Sequence, residues 1–98
     1  MSLEVQTAVQ NGVDLIRGKL RTLPTTPGVY RMLDGENNAL YVGKARNLRR
    51  RVTNYTQFGK LSNRLQRMVT ETRALEVVTT RTEVEALLLE INLIKQLR

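Results

Sequence analysis

The stretch Tyr41-Val42-Gly43-Lys44-Ala45-Arg46-Asn47-Leu48-Arg49-Arg50-Arg51 decides how the chain is read. It has the form of a strand end, a tight glycine turn, and a helix opening at Asn47, a good N-cap residue. Five of its eleven residues are cationic. Helix N-termini attract anions through free N–H groups and the dipole, and the cations add to that attraction. The spacing predicts a turn that faces a phosphodiester.

Upstream, Val29-Tyr30-Arg31-Met32-Leu33 is a short strand and Asp34-Gly35-Glu36-Asn37-Asn38 a turn by composition. Ala39 to Gly43 returns as the second strand, so Tyr30 and Tyr41 stand on adjacent antiparallel strands of a hairpin. Before it, Leu23-Pro24-Thr25-Thr26-Pro27-Gly28 stops any helix and sets up an extended approach. Residues 4–23 pattern as an amphipathic helix, with Val13, Ile16, Leu20 and Leu23 at helical intervals and Gly12 and Gly18 weakening it. Downstream, a helix is expected from Asn47 to about Tyr55, and another from Lys60 to Thr72 with Leu61, Leu65, Met68 and Val69 on one face. Leu75 to Thr80 is β-rich and reads as a third strand. Thr82 and Glu85 form a capping-box pattern that opens a last helix running to Arg98. No Gly or Pro follows it, which predicts a fragment of a longer protein.

Ninety-eight residues suit one small domain, and 41% hydrophobic content is ordinary for a globular chain. The absence of Cys excludes disulfides, zinc–thiolate sites and a thiol nucleophile, and the absence of His removes the usual general base. No apolar run approaches a membrane span, so a soluble, cytoplasmic, monomeric protein is expected. The formal charge of +7 is uneven: Lys44 to Arg73 holds nine cations against Glu71, while the remainder holds seven cations against eight acids. Such concentration is the footprint of a nucleic-acid surface, with Lys44, Arg46, Arg49, Arg50, Lys60, Arg64 and Arg67 as the DNA-facing cations.

Glu90 is the odd acid. Its helical neighbours Ala86, Leu87, Leu93 and Ile94 are all apolar, which predicts a buried carboxylate in need of compensation. Two readings stand: a structural ion pair with an arginine, Arg51 among the candidates, or an oxygen ligand for a hard divalent cation. Arg51 shares a helix face with Leu48 and Tyr55, and an arginine so directed calls for a carboxylate or a phosphate. Tyr30 and Tyr41 are either strand packing or chemistry. For a tyrosine to act as a base, its pKa must fall about three units, or roughly 4 kcal/mol of phenolate stabilisation, to which nearby Lys44 and Arg51 can contribute. Residue chemistry alone reaches a phosphate-binding α/β domain with one candidate metal acid. It does not reach a reaction.

The tripeptides Gly28-Val29-Tyr30 and Tyr41-Val42-Gly43 resemble the signature of the GIY-YIG nuclease family, with Val for Ile in both. The likeness extends through Leu23 to Arg31, Tyr41 to Leu48 and Glu83 to Lys95, and is similar to the UvrC-type N-terminal domain over about residues 20–98. The resemblance implies a small three-stranded antiparallel sheet flanked by helices, an α/β (α+β) fold. It divides the chain into an N-terminal helical extension, 1–22, and the nuclease domain, 23–98.

It also implies a metal-dependent DNA endonuclease of nucleotide excision repair, cutting 3′ to a lesion in double-stranded damaged DNA with Mg²⁺ or Mn²⁺. By that resemblance Tyr41 activates water, Tyr30 is the second tyrosine of the hairpin, and Lys44 and Arg51 are catalytic cations. Glu90 is the metal ligand. A partner, UvrB, would be met through regions outside this stretch. In such proteins a segment with a proline and an active-site asparagine follows the last helix, beyond Arg98 here. The competing readings are a homing or junction-resolving GIY-YIG nuclease, against which the Lys44 to Leu48 wording speaks, and a non-catalytic basic DNA-binding module.

Overall fold

A computed structural model describes residues 2–96. Helix α1 (Leu3–Lys19) is followed by strands β1 (Gly28–Leu33) and β2 (Ala39–Ala45), then α2 (Leu48–Thr53), α3 (Asn63–Glu71), β3 (Ala74–Thr79) and α4 (Glu83–Gln96). The three strands form one antiparallel sheet in the order β2-β1-β3, as expected. The hairpin turn is held by Asp34, whose Oδ1 accepts the N–H groups of Glu36 and Asn38 at 2.9 and 2.8 Å. Asn37 takes the left-handed conformation there (φ 70°), which Asn tolerates better than most residues.

Strand residues alternate between faces, and those paired across an antiparallel ladder share one. Tyr30 and Met32 on β1, Tyr41 on β2, and Leu75 and Val77 on β3 therefore face α1, α2 and α3. The main core lies between, with Ile16, Leu48, Val52 and Val69 fully enclosed. Each such side chain contributes about 1.5–3 kcal/mol on burial. Helix α1 is thus part of the same core as the sheet, tied most closely to α3 where Gly12 meets the Val69 carbonyl.

The opposite face carries Val29 and Val42, on which α4 rests through Ala86, Leu89 and Leu93 alone. Val84, Leu87, Leu88, Ile91 and Ile94 stay 40–66% exposed. Helix α4 opens on the expected cap: Thr82 Oγ1 accepts the Glu85 N–H at 3.2 Å, and Glu85 reaches back to the Arg81 N–H at 3.1 Å. The predicted continuation to Leu97 and Arg98 lies outside the described residues.

Three expectations change. Gly43 is not in a turn: β2 runs straight through it to Ala45, and its φ is not positive. Its lack of a side chain is needed because the Tyr30 ring crosses over it; a Cβ would lie 2.5 Å from Tyr30 Cζ and Oη. The helix after Asn47 gives way to a 3-10 turn at Asn54–Thr56, although Asn47 caps it as predicted, accepting the Arg50 N–H at 3.0 Å. Helix α3 begins at Asn63 instead of Lys60, because Ser62 caps it by accepting the Leu65 N–H at 3.3 Å.

Candidate active site

Being outermost in the sheet, β2 offers an open edge, and groups from both of its faces collect around that edge. Tyr41 pairs with Met32 on the inner face, whereas Lys44 pairs with Val29 on the face that carries α4. Gly28 lets α2 sit down at the end of the hairpin: a Cβ there would lie 2.5 Å from the Val78 carbonyl and 2.6 Å from Leu48 Cδ1. That close approach places the α2 cations beside the end of β2. A cleft of about 690 Å³ results, lined by Lys44, Arg46, Asn47, Arg50, Arg51 and Asn54, with Glu83 and Ala86 of α4 on its far wall.

Inside the domain, Tyr30, Tyr41 and Tyr55 form a triangle of rings, with centroids 6.1, 5.8 and 6.3 Å apart. Tyr30 and Tyr55 are buried and their hydroxyls share a hydrogen bond of 2.6 Å. A buried phenol needs such a partner, and the described residues hold no buried side-chain N or O without one. Burial, first, and the neighbouring Tyr55 phenol, second, push the Tyr30 pKa far above its ordinary value; Arg51 opposes this without prevailing. Burial also pushes Tyr55 up, to about 12. Neither phenol releases its proton near neutrality. Tyr41 is only partly buried.

Glu90 corrects the sequence reading. It is only partly buried: Ala86 and Leu93 beside it pack on the sheet, while Leu87 and Ile94 are exposed. Its surroundings open to solvent on one side, and no ion pair joins Glu90 to Arg51 among the described residues. Glu90 follows the cleft-lining Ala86 by four residues, one turn or about 6 Å along the axis. Arg51 is exposed, not core-directed: it lines the cleft while still influencing both buried tyrosines.

The remaining predicted cations divide. Lys44, Arg46 and Arg50 line the cleft, with Arg46 Nε 2.9 Å from Glu83 Oε1. Arg49 is turned away from it, donating to the Leu23 carbonyl at 2.9 Å and to that of Arg21 at 3.5 Å, which clamps the segment before β1. Arg64 and Arg67 flank Tyr41 in a smaller hollow of about 160 Å³ that also contains Glu71, 3.7 Å from Arg67. Lys60 is exposed and lines none of these hollows. Sequence reasoning did not assign Tyr55, Asn47 or Asn54 to the site. The available signal was Tyr55's place four residues after Arg51, one helical turn along.

An oxyanion fits this cleft, and a hard divalent cation fits beside it. Among the described residues no three acids cluster as a full metal cage, and Mg²⁺ commonly binds one or two carboxylates plus substrate phosphates and water. Glu90 is the carboxylate one turn beyond Ala86 on the far wall of this cationic space. The donor set is adequate for that mode of binding.

The chain is 62% identical over 91 residues to UvrABC system protein C of Rhodospirillum rubrum, covering 93% of this chain and 14% of that protein. It is 60% identical over 90 residues to UvrABC system protein C of Sphingopyxis alaskensis, covering 92% and 14%. The chain thus spans about one-seventh of the length of these relatives. The crystal structure of the GIY-YIG N-terminal endonuclease domain of UvrC from Thermotoga maritima, bound to its catalytic divalent cation, magnesium, superposes with a TM-score of 0.74. Sequence identity to it is 34%, over 83% of this chain and 88% of that one. No described helix is long and apolar enough to cross a membrane. The UvrC-like GIY-YIG domain profile matches residues 26–98, and the chain belongs to that family.

Proposed function

We propose that this chain is the metal-dependent endonuclease domain of a nucleotide excision repair nuclease, hydrolysing a DNA phosphodiester 3′ to a lesion. The observation that carries the reading is the cleft at the end of β2, where four cations meet, with Arg51 close enough to act on the buried tyrosines and Glu90 one turn beyond the far wall. Residues 23–98 form the catalytic unit, and residues 1–22 an extension whose α1 braces its core.

Lys44 and Arg51 hold the non-bridging oxygens of the scissile phosphate and neutralise charge as the pentacoordinate state develops. Tyr41, having given its own proton to solvent, accepts one from the attacking water, since it is the member of the tyrosine triangle that meets solvent. Tyr30 and Tyr55 keep their protons and fix the ring wall behind it through their shared hydrogen bond. Glu90 would hold one Mg²⁺ or Mn²⁺, which supplies Lewis acidity at the phosphate and at the leaving oxygen. Arg46 and Arg50 border the cleft and track the flanking backbone.

The substrate is double-stranded damaged DNA, and UvrB is met through parts of the longer protein outside this chain. Incision of a lesion-containing duplex by the full-length protein with UvrB, with and without Mg²⁺, tests the reading. Glu90→Gln abolishes 3′ incision and leaves duplex binding largely intact. Undiminished 3′ incision by that variant would overturn the assignment. A DNA-binding module without catalysis would show no Mg²⁺-induced NMR shifts centred on Glu90, Tyr41 and Arg51.

A further inference from the structure

The cationic cleft does not end at α2. Across that short helix lies a second depression of about 290 Å³, lined by Thr25, Asn47, Arg49, Arg50, Thr53 and Asn54. Asn47, Arg50 and Asn54 also line the first cleft, so α2 is a ridge between two connected hollows. The second contains no carboxylate, whereas Glu83 lines the first and Glu71 the hollow beside α3.

Its polar groups are set to donate. Asn47 Oδ1 already accepts from Arg50 N, which leaves the Asn47 amide nitrogen as a donor. The Arg49 guanidinium is fixed in the wall by two carbonyls, and the Thr53 hydroxyl donates to the Arg49 carbonyl at 2.6 Å. Arg50 has no ion-pair partner among the described residues, and the Thr25 hydroxyl makes no hydrogen bond among them. A cation would find no counter-charge here. An oxyanion finds two guanidinium groups and side-chain N–H and O–H donors.

We infer that this second cleft takes the phosphodiester adjacent to the one held in the first, so that the DNA backbone crosses α2 and not α3. The inference rests on the nuclease reading above and specifies the path of its substrate. On the α3 side Arg67 faces Glu71 at 3.7 Å, which leaves Arg64 as the one unpaired cation of that hollow among the described residues. Arg50, standing in both clefts, is the cation shared by the two phosphates.

Thr25 allows a clean test, because it is exposed and lies in the second cleft alone. Thr25→Glu places a carboxylate there, and Thr25→Gln matches its size without charge. Binding of the 98-residue chain to a short DNA duplex is measured by fluorescence anisotropy across a salt series. Thr25→Glu binds about tenfold more weakly than Thr25→Gln, and its slope of log K against log salt is lower by about one. Amide shifts on adding duplex fall on Thr25, Thr53 and Asn54 more than on Arg64 and Arg67. Wild-type binding with an indifferent Thr25→Glu, or shifts confined to α3, overturns the second subsite and leaves the nuclease reading standing. A wild-type chain that binds no duplex at low salt overturns the second subsite, and the nuclease reading is then decided by the incision assay on the full-length protein.

Discussion

Tyr30 and Tyr55, twenty-five residues apart in sequence, place their hydroxyls 2.6 Å from each other in the core, beside the partly exposed ring of Tyr41. The bond satisfies two buried phenols at once, so truncating one leaves the other orphaned. Tyr30→Phe or Tyr55→Phe is expected to cost about 1–3 kcal/mol, the usual penalty for stranding a buried polar group. The double Phe variant should lose clearly less than the sum of the two. Urea denaturation of the four proteins gives the coupling, and strict additivity would show that the hydroxyls do not depend on each other.

The same pair sets an alkaline limit. Folding raises both pKa values, mainly through burial. The protonated phenols therefore favour the native state fully below the unfolded value of about 10. Above it the unfolded chain releases protons that the native chain retains. That part of the stability is lost as pH rises from about 10, and the Tyr55 share is spent once pH passes about 12. Unfolding free energy measured between neutrality and pH about 11 should fall steeply in the wild type. The double Phe variant should show a shallower decline. Identical slopes would mean that these phenols are not the groups responsible.

Glycines expected only to weaken or bend the chain turn out to fix close approaches. A Cβ on Gly12 would lie 1.9 Å from the Val69 carbonyl oxygen, so Gly12→Ala must push α1 from α3. The cost is expected at about 3 kcal/mol, the upper range for overpacking a core. On the same helix, a Cβ added at Gly18 would meet nothing within 4 Å, and Gly18→Ala should stabilise by about 0.5 kcal/mol through helix propensity. Opposite signs for two identical substitutions six residues apart form the test, read by thermal or urea unfolding.

Much of this was legible in the sequence because it is local. The caps at Asn47 and Thr82, the Asp34 turn and the strand order of the hairpin follow from short-range hydrogen-bonding rules. What was not legible depends on distant partners. Gly43 looked like a turn residue, and only the Tyr30 ring above it explains why a strand carries a glycine there. Glu90 looked buried because its helical neighbours are apolar, but helix periodicity does not say that Ala86 and Leu93 meet the sheet while Leu87 and Ile94 meet water. Tyr55 shared a face with Arg51 in sequence, while its hydroxyl partner lay on another element. Family resemblance supplied the roles of Tyr41, Lys44, Arg51 and Glu90; composition supplied only the charge.

Glu83 yields a last prediction, in which two effects of one carboxylate separate. Its ion pair with Arg46 spans 2.9 Å but joins side chains 57% and 85% exposed. Exposed pairs contribute about 0–1 kcal/mol, and the first-turn position on α4 adds about 0.3–1 kcal/mol at most through the dipole. Glu83→Gln should therefore lower stability by less than about 2 kcal/mol. Its effect on DNA should be larger and favourable, because Glu83 is the one carboxylate lining the main cleft and occupies a cation there. Freed from it, Arg46 pairs with phosphate, and duplex affinity should rise several-fold at low salt with a steeper salt dependence. Anisotropy titrations of the 98-residue chain at two salt concentrations decide the matter. Equal or weaker binding by Glu83→Gln would show that Arg46 does not exchange its carboxylate for the DNA backbone.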